Sequence, residues 1–235
     1  MSATAVALRS LLASGLAPPT QDSVEEAAEL AGVLAELPEA PASLRGLAAE
    51  LATCDTAELG AAHERLFNGD VQLPPYEGSY EIDPFRQARQ MADVAGFYRA
   101  FGADAHGPEA ERPDHAGTEL EFLAFLGLRR LEAEAEGDED AATRCAEIED
   151  DFLTTHAGRW LPVFFGRLAE EAAHPVHRAL GQVGHDAVLA ELAGRGLVVE
   201  SVPADRRPRT AVEEDELTCA AGDEAVAPLV PGPRA

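Results

Sequence analysis

Residues 111–130, ERPDHAGTELEFLAFLGLRR, set Glu111, Pro113, Asp114, His115 and Glu119 against an apolar run that contains Leu120, Phe122, Leu123, Phe125, Leu126 and Leu128. A histidine and a carboxylate four residues apart share one face of a helix. His115 and Glu119 could therefore pair with each other, pair with Arg86, Arg89 or Arg99, or offer two ligands to a metal. His174, His177 and His185 form a second histidine-bearing segment and extend the metal reading to a helical metal-dependent hydrolase. Against it, the chain holds neither HExxH nor the second-helix ExxH of a di-iron bundle. No serine sits in a GxSxG elbow, and none of Cys54, Cys145 and Cys219 has a histidine beside it in sequence, so no catalytic triad is indicated. No catalytic residue, metal or cofactor is assigned.

Helical geometry places these groups. With Pro113 at the first helical position, Asp114 and His115 fall in the first turn, where free N–H groups and the positive end of the dipole favour an anion. His115, Glu119, Phe122 and Leu126 then form one stripe, with Leu120 and Leu123 on a second, roughly opposite. Two apolar faces put this helix inside a bundle, and a carboxylate buried there needs a partner. Upstream, residues 68–83, NGDVQLPPYEGSYEID, form a long loop carrying Tyr76, Glu77 and Tyr80. Loops of that length inside a compact domain are functional or disordered. Folded back over the entrance of the helix, the loop would make a groove with aromatic walls and an acidic mouth. Such a groove suits a peptide bearing arginines followed by a hydrophobic stretch.

The elements around this groove are helical throughout. Apolar spacing predicts helices over 3–16, 23–36, 42–52, 56–67, 84–101, 113–136, 139–156, 159–172 and 175–194. Sustained period-two alternation is absent, so the fold class is all-α: a single-domain bundle of about nine or more helices over 1–199. Residues 200–235, proline-rich and acidic, read as a flexible tail. All nine Phe, the three Tyr and the single Trp lie between Phe67 and Phe165, so the core and any recognition surface share the middle of the chain.

Composition narrows the function classes. The 43 acidic residues outnumber 18 basic ones, all arginine, for a formal net charge of −25. That balance speaks against general binding to nucleic acid or anionic membrane, which requires a cationic footprint. The acidity itself reads either as surface solvation in a salt-rich cell or as the bias of a high-GC genome. Three dispersed cysteines indicate neither a zinc knuckle nor a disulfide scaffold and fit a reducing cytosol. Arg9 and Ser10 interrupt the stretch from Leu8 to Leu16, which reads as an amphipathic first helix and not a signal peptide. No run approaches the ~20 apolar residues of a membrane span.

In this order, LFNGDVQLPPYEGSYE, FRQARQMADVAGFYRAFG, ERPDHAGTELEFLAFL and DFLTTHAGRWLPVFFGRL resemble the TorD/DmsD/NarJ family of molybdoenzyme maturation chaperones. The nearest likeness is to the branch serving type II enzymes of the dimethyl sulfoxide reductase family. Ala116, Gly117 and Thr118 depart from the family's bulkier aliphatics. The resemblance implies an all-helical cytoplasmic chaperone without catalysis. It would bind the twin-arginine leader, or the apo form, of a molybdopterin-containing catalytic subunit, assist cofactor insertion and prevent premature export. It further implies that Glu111, Pro113, Asp114 and His115 form the leader site with Tyr76, Glu77 and Tyr80, while Glu119 and Phe122 continue the motif on the helix. A general helical interaction module, including a homodimer, is the third reading beside the chaperone and the hydrolase.

Overall fold

The computed structural model describes residues 2–68, 73–102 and 111–203. Among the described residues nine α-helical segments follow in order: α1 (Ala3–Ser14), α2 (Gln21–Ala35), α3 (Leu44–Thr53), α4 (Thr56–Phe67), α5 (Pro84–Ala100), α6 (Ala116–Glu136), α7 (Glu139–Phe152), α8 (Gly158–Glu171) and α9 (Pro175–Arg195). A 3-10 turn, Glu77–Tyr80, precedes α5, and a π-helical turn, Leu153–Ala157, joins α7 to α8. Among the described residues no strand forms, and an isolated antiparallel bridge pairs Tyr76 with His115. The all-α class follows the apolar periodicity. Residues 204–235 of the expected tail lie outside the described residues.

Local chemistry sets most helix ends where the sequence places them. Asp83 accepts the Phe85 N–H at 2.9 Å, with Pro84 at the first helical position of α5. Gly102, at φ 66°, follows α5 in the left-handed conformation that glycine adopts without strain. The start of α6 differs from expectation. Pro113 is not its first residue; the helix begins at Ala116 with His115 as N-cap, its Nδ1 accepting the Gly117 N–H at 3.1 Å. The reason is competition for backbone groups. The Asp114 carbonyl accepts the Glu77 N–H at 2.9 Å and the Ala116 N–H donates to the Pro75 carbonyl at 2.8 Å, so residues 113–115 pair with the upstream loop and do not begin a helix.

Residues 139–156 and 159–172, expected as two helices, run on through the π turn, in which the Gly158 N–H donates to the Leu153 carbonyl. Pro162 lies inside α8. Its ring crowds the carbonyl four residues back, at Gly158, and it offers no N–H to the ladder, so a widened turn just upstream relieves the helix. A Cβ at position 158 would strike the Leu153 carbonyl oxygen, which makes glycine the residue for that turn.

The core is centred on α8, which packs on α9 and in which Trp160, Leu161, Phe164 and Phe165 are fully buried. Gly181 and Gly184 let α9 approach Ala169 and Phe165 closely. Each such large side chain contributes about 1.5–3 kcal/mol through burial. Four helices also meet in an ionic cluster: Arg9 of α1 pairs with Glu149 of α7 (2.7 Å) and Glu191 of α9 and donates to the Leu123 carbonyl of α6. Arg195 closes the cluster at 3.1 Å from Glu149. Glu149 is fully buried, so losing one arginine would leave a carboxylate short of partners, a costlier change than the net worth of the pair.

Candidate functional site

The loop before α5 and the turn before α6 are stitched together by the two backbone bonds described above. The nine candidate residues therefore form one contiguous group, divided into an outer layer and a buried layer. Glu111 is exposed, and Tyr76, Pro113 and His115 are half-buried; Glu77, Tyr80, Asp114, Glu119 and Phe122 are buried beneath them.

In the outer layer the Tyr76 and His115 rings meet edge to face, with centroids 5.3 Å apart. The Tyr76 hydroxyl donates to Glu111 Oε1 at 3.3 Å, and the same oxygen accepts the Arg112 N–H at 2.8 Å. Burial, reinforced by the negative charge of Glu111, pushes the Tyr76 phenol up to about 12, so it stays a donor at any physiological pH. Burial lowers the His115 imidazole below its ordinary value, against the pull of Glu111 and Asp114. A neutral ring agrees with its cap, because Nδ1 can accept from Gly117 only when unprotonated.

Asp114 does not cap α6. It is almost fully buried and accepts two bonds from Arg112, Nε at 3.0 Å and Nη2 at 2.9 Å, and a third from the Gly78 N–H at 3.2 Å. The Arg112 guanidinium also lies over the Tyr76 ring, 4.4 Å from its centroid. Asp114 is thus the post on which the loop and the turn are hung, and Arg112 completes it.

The buried layer fixes the loop from below. Glu77 faces His156 at 3.0 Å, and the other ring nitrogen of His156 faces Asp93 of α5 at 3.3 Å. The π turn aims His156 at Glu77. Tyr80 packs on Trp160 with centroids 5.3 Å apart. Glu119 does not pair with His115 or with an arginine, the partners its sequence position suggests; its Oε2 accepts the Trp160 indole N–H at 2.9 Å. Its Oε1 has no hydrogen-bond partner among the described residues. Burial first, and then the nearby charge of Glu77, hold the Glu119 carboxyl well above its usual range. A protonated acid is the form this interior stabilises. The Phe122 ring lies tilted against Tyr98 and edge to face with Phe152, with centroids 4.7 and 5.0 Å apart, and the Tyr98 hydroxyl donates to the Pro113 carbonyl at 2.7 Å.

In the second histidine segment His174 and His177 serve the fold, while His185 is half-buried, 3.8 Å from the Asp186 carboxylate. His174 caps α9, accepting the Val176 N–H at 3.2 Å, and His177 lies against Phe67 and His63. Burial drops His177 to about 4. Among the described residues no three His, Cys, Asp or Glu side chains converge as metal ligands.

Among the described residues, concavities also lie away from the candidate site, two of them notable. The more apolar one, about 570 Å³ between α1, α6 and α9, is floored by Leu8, Leu12, Leu120, Leu123 and Val188 and includes none of the nine candidates. The other is an acid-lined groove where Asp22, Glu25 and Glu29 of α2 face Leu51 and Cys54. Arg112, Trp160 and His156 support the candidate site yet were not singled out from sequence. Arg112 was legible inside the quoted ERPDH stretch, whereas the partners of Trp160 and His156 are 41 and 79 residues distant.

The profile of the nitrate reductase delta subunit family matches residues 26–166, which include the whole site. The chain is 36% identical over 156 residues to the selenate reductase assembly chaperone protein of Thauera selenatis, an alignment covering 63% of this chain and 78% of that one. It is 39% identical over 100 residues to the chlorate reductase assembly chaperone protein of Ideonella dechloratans (43% of this chain) and 33% identical over 116 residues to the perchlorate reductase assembly chaperone protein of Dechloromonas aromatica (47%). In both cases the chain spans 50% of the relative's length. A solved redox enzyme maturation protein from Archaeoglobus fulgidus superposes with a TM-score of 0.53 at 20% identity, over 79% of this chain and 94% of that one, and shares the fold. No described helix is long and apolar enough to cross a membrane.

Proposed function

The chain belongs to the nitrate reductase delta subunit family, and from that premise we propose that it is the assembly chaperone of a molybdopterin-containing oxidoreductase. Its role is maturation, not catalysis. Its partner is the catalytic subunit, met in the cytoplasm as an apo-protein with its N-terminal twin-arginine leader still attached. Holding that leader keeps the subunit from export until the cofactor is inserted.

The carrying observation is the 36% identity to a selenate reductase assembly chaperone across most of that relative's length. The geometry supports a leader site on the outer layer. Tyr76 and His115 offer an aromatic surface, Pro113 an apolar edge, and Glu111 an exposed carboxylate for a guanidinium. Glu77, Tyr80, Asp114, Glu119 and Phe122 act from beneath, holding the two backbone segments in register. A rigid receptor surface loses little conformational entropy on binding, which favours affinity for an extended segment.

Pull-down from the native host tests this reading. A molybdopterin catalytic subunit should co-purify in near-stoichiometric amount, and removing its leader should reduce capture strongly; light scattering on the eluted complex reports whether the chaperone enters as a monomer or a homodimer. Failure to capture any such subunit would overturn the proposal.

A further inference from the structure

Arg112 stands where a visiting arginine would be expected to bind. It forks the Nε–Nη2 edge of its guanidinium onto Asp114, lies over Tyr76 and remains 37% exposed at the side chain, while Asp114 is 1% exposed. Resting on the leader-binding reading above, which gives Glu111 one guanidinium, we propose that Asp114 beneath it seats the leader's second, that Arg112 is the resident occupant of that seat, and that the incoming guanidinium binds by displacing it.

Three features carry this. The seat is built for a guanidinium: a carboxylate met bidentately and an aromatic face together select arginine over lysine. The occupant can swing out without unwinding a helix, because Arg112 sits in the turn before α6, where the His115 N–H donates to its carbonyl at 3.1 Å. The exchange also avoids the main electrostatic cost. Stripping Arg112 from Asp114 would expose a buried, unpaired carboxylate, a strongly destabilised state. Swapping one guanidinium for another leaves Asp114 paired throughout, with the Gly78 N–H still bonded to it. A ligand must outcompete a tethered guanidinium, which one arginine alone does poorly and two arginines followed by an apolar run do well.

If the seat is open about one time in ten, the apparent dissociation constant is raised about tenfold over the intrinsic one. The test is titration calorimetry of the full chain with a synthetic peptide carrying two adjacent arginines and an apolar run, beside its counterpart with both arginines replaced by lysine. Arg112→Met should bind the arginine peptide about tenfold more tightly than the unaltered protein, with no comparable gain for the lysine peptide. Arg112→Lys, which keeps a cation beside Asp114 but not the fork, should show a smaller gain in the same direction and covers the case in which the methionine variant does not fold. Equal or weaker binding of the arginine peptide by the folded variants, or an equal gain for the lysine peptide, would overturn the proposal. If the arginine peptide shows no gain while the catalytic subunit still co-purifies with the variant, the displacement idea fails and the chaperone reading stands. If the subunit is never captured, the chaperone reading fails on its own test.

Discussion

Asp114 accepts three hydrogen bonds, two from Arg112 and one from the Gly78 N–H, and it is buried. Asp114→Ala removes all three. The partly exposed guanidinium returns to water, so its share is modest; hydrogen bonds to a charged group are worth about 1.5–3 kcal/mol, and half-open pairs fall at the lower end. The buried Gly78 amide is left without its acceptor, which costs a further ~1–3 kcal/mol. Together the loss should be about 3 kcal/mol. Asp114→Asn keeps an oxygen for Gly78 and one neutral bond to Arg112, so it should cost about 1 kcal/mol. Urea unfolding followed by Trp160 fluorescence and by circular dichroism measures both. The two probes should coincide and the slope should stay constant while the midpoint falls. If Asp114→Ala and Asp114→Asn both lie within about 0.5 kcal/mol of the unaltered protein, Asp114 does not hold the loop to the turn, and the two-layer description of the site is wrong.

Two pH predictions follow from buried groups. His177, held near 4 against an ordinary 6.5, binds a proton more readily when unfolded, so its burial costs stability as pH falls from about 6.5 toward 4. His177→Leu should lessen the loss of stability between pH 7 and pH 5 by about 2 kcal/mol; an unchanged pH profile would show that His177 is not the neutral buried group described. Glu119 has the opposite sign. Its folded pKa is raised, so the stability it contributes is present below its ordinary 4.5 and is lost as pH rises through the folded value. Glu119→Gln should therefore gain on the unaltered protein as pH goes from 4 to 8, and a difference that shrinks over that range would contradict the neutral-acid assignment. In the fold itself, Gly181→Ala should destabilise by more than ~2 kcal/mol in thermal or urea unfolding, because the added methyl meets the Ala169 backbone, which cannot give way as a side-chain tip would. A stability equal to that of the unaltered protein would contradict the close packing of α8 on α9.

The helices were legible because their evidence is local. Apolar spacing and caps such as Asp83-Pro84 act within a few residues, and they placed α4 and α5 nearly to the residue. The site was legible as a set of residues but not as an arrangement. Tyr76, Asp114 and His115 do come together, yet Asp114, which the sequence places in the first turn of the helix as a favoured anion, is a buried anchor of the loop, because Gly78, its backbone donor, is 36 residues away. Pro113 carried a helix-start signal that long-range backbone pairing overrode. The partner of Glu119 was misjudged for a related reason: charge suggested an arginine, whereas burial favoured a neutral acid facing the single tryptophan. The π turn has no sequence marker beyond Gly158 and Pro162, and its consequence, His156 facing Glu77, is visible only in three dimensions.

Hydrogen–deuterium exchange of the full chain, with and without a twin-arginine leader peptide, tests the central claim most directly. The account predicts added protection over residues 74–82 and 111–117, the two segments joined at Tyr76 and His115. Protection confined to the acid-lined groove of Asp22, Glu25 and Glu29, or to the apolar cavity between α1, α6 and α9, would contradict it.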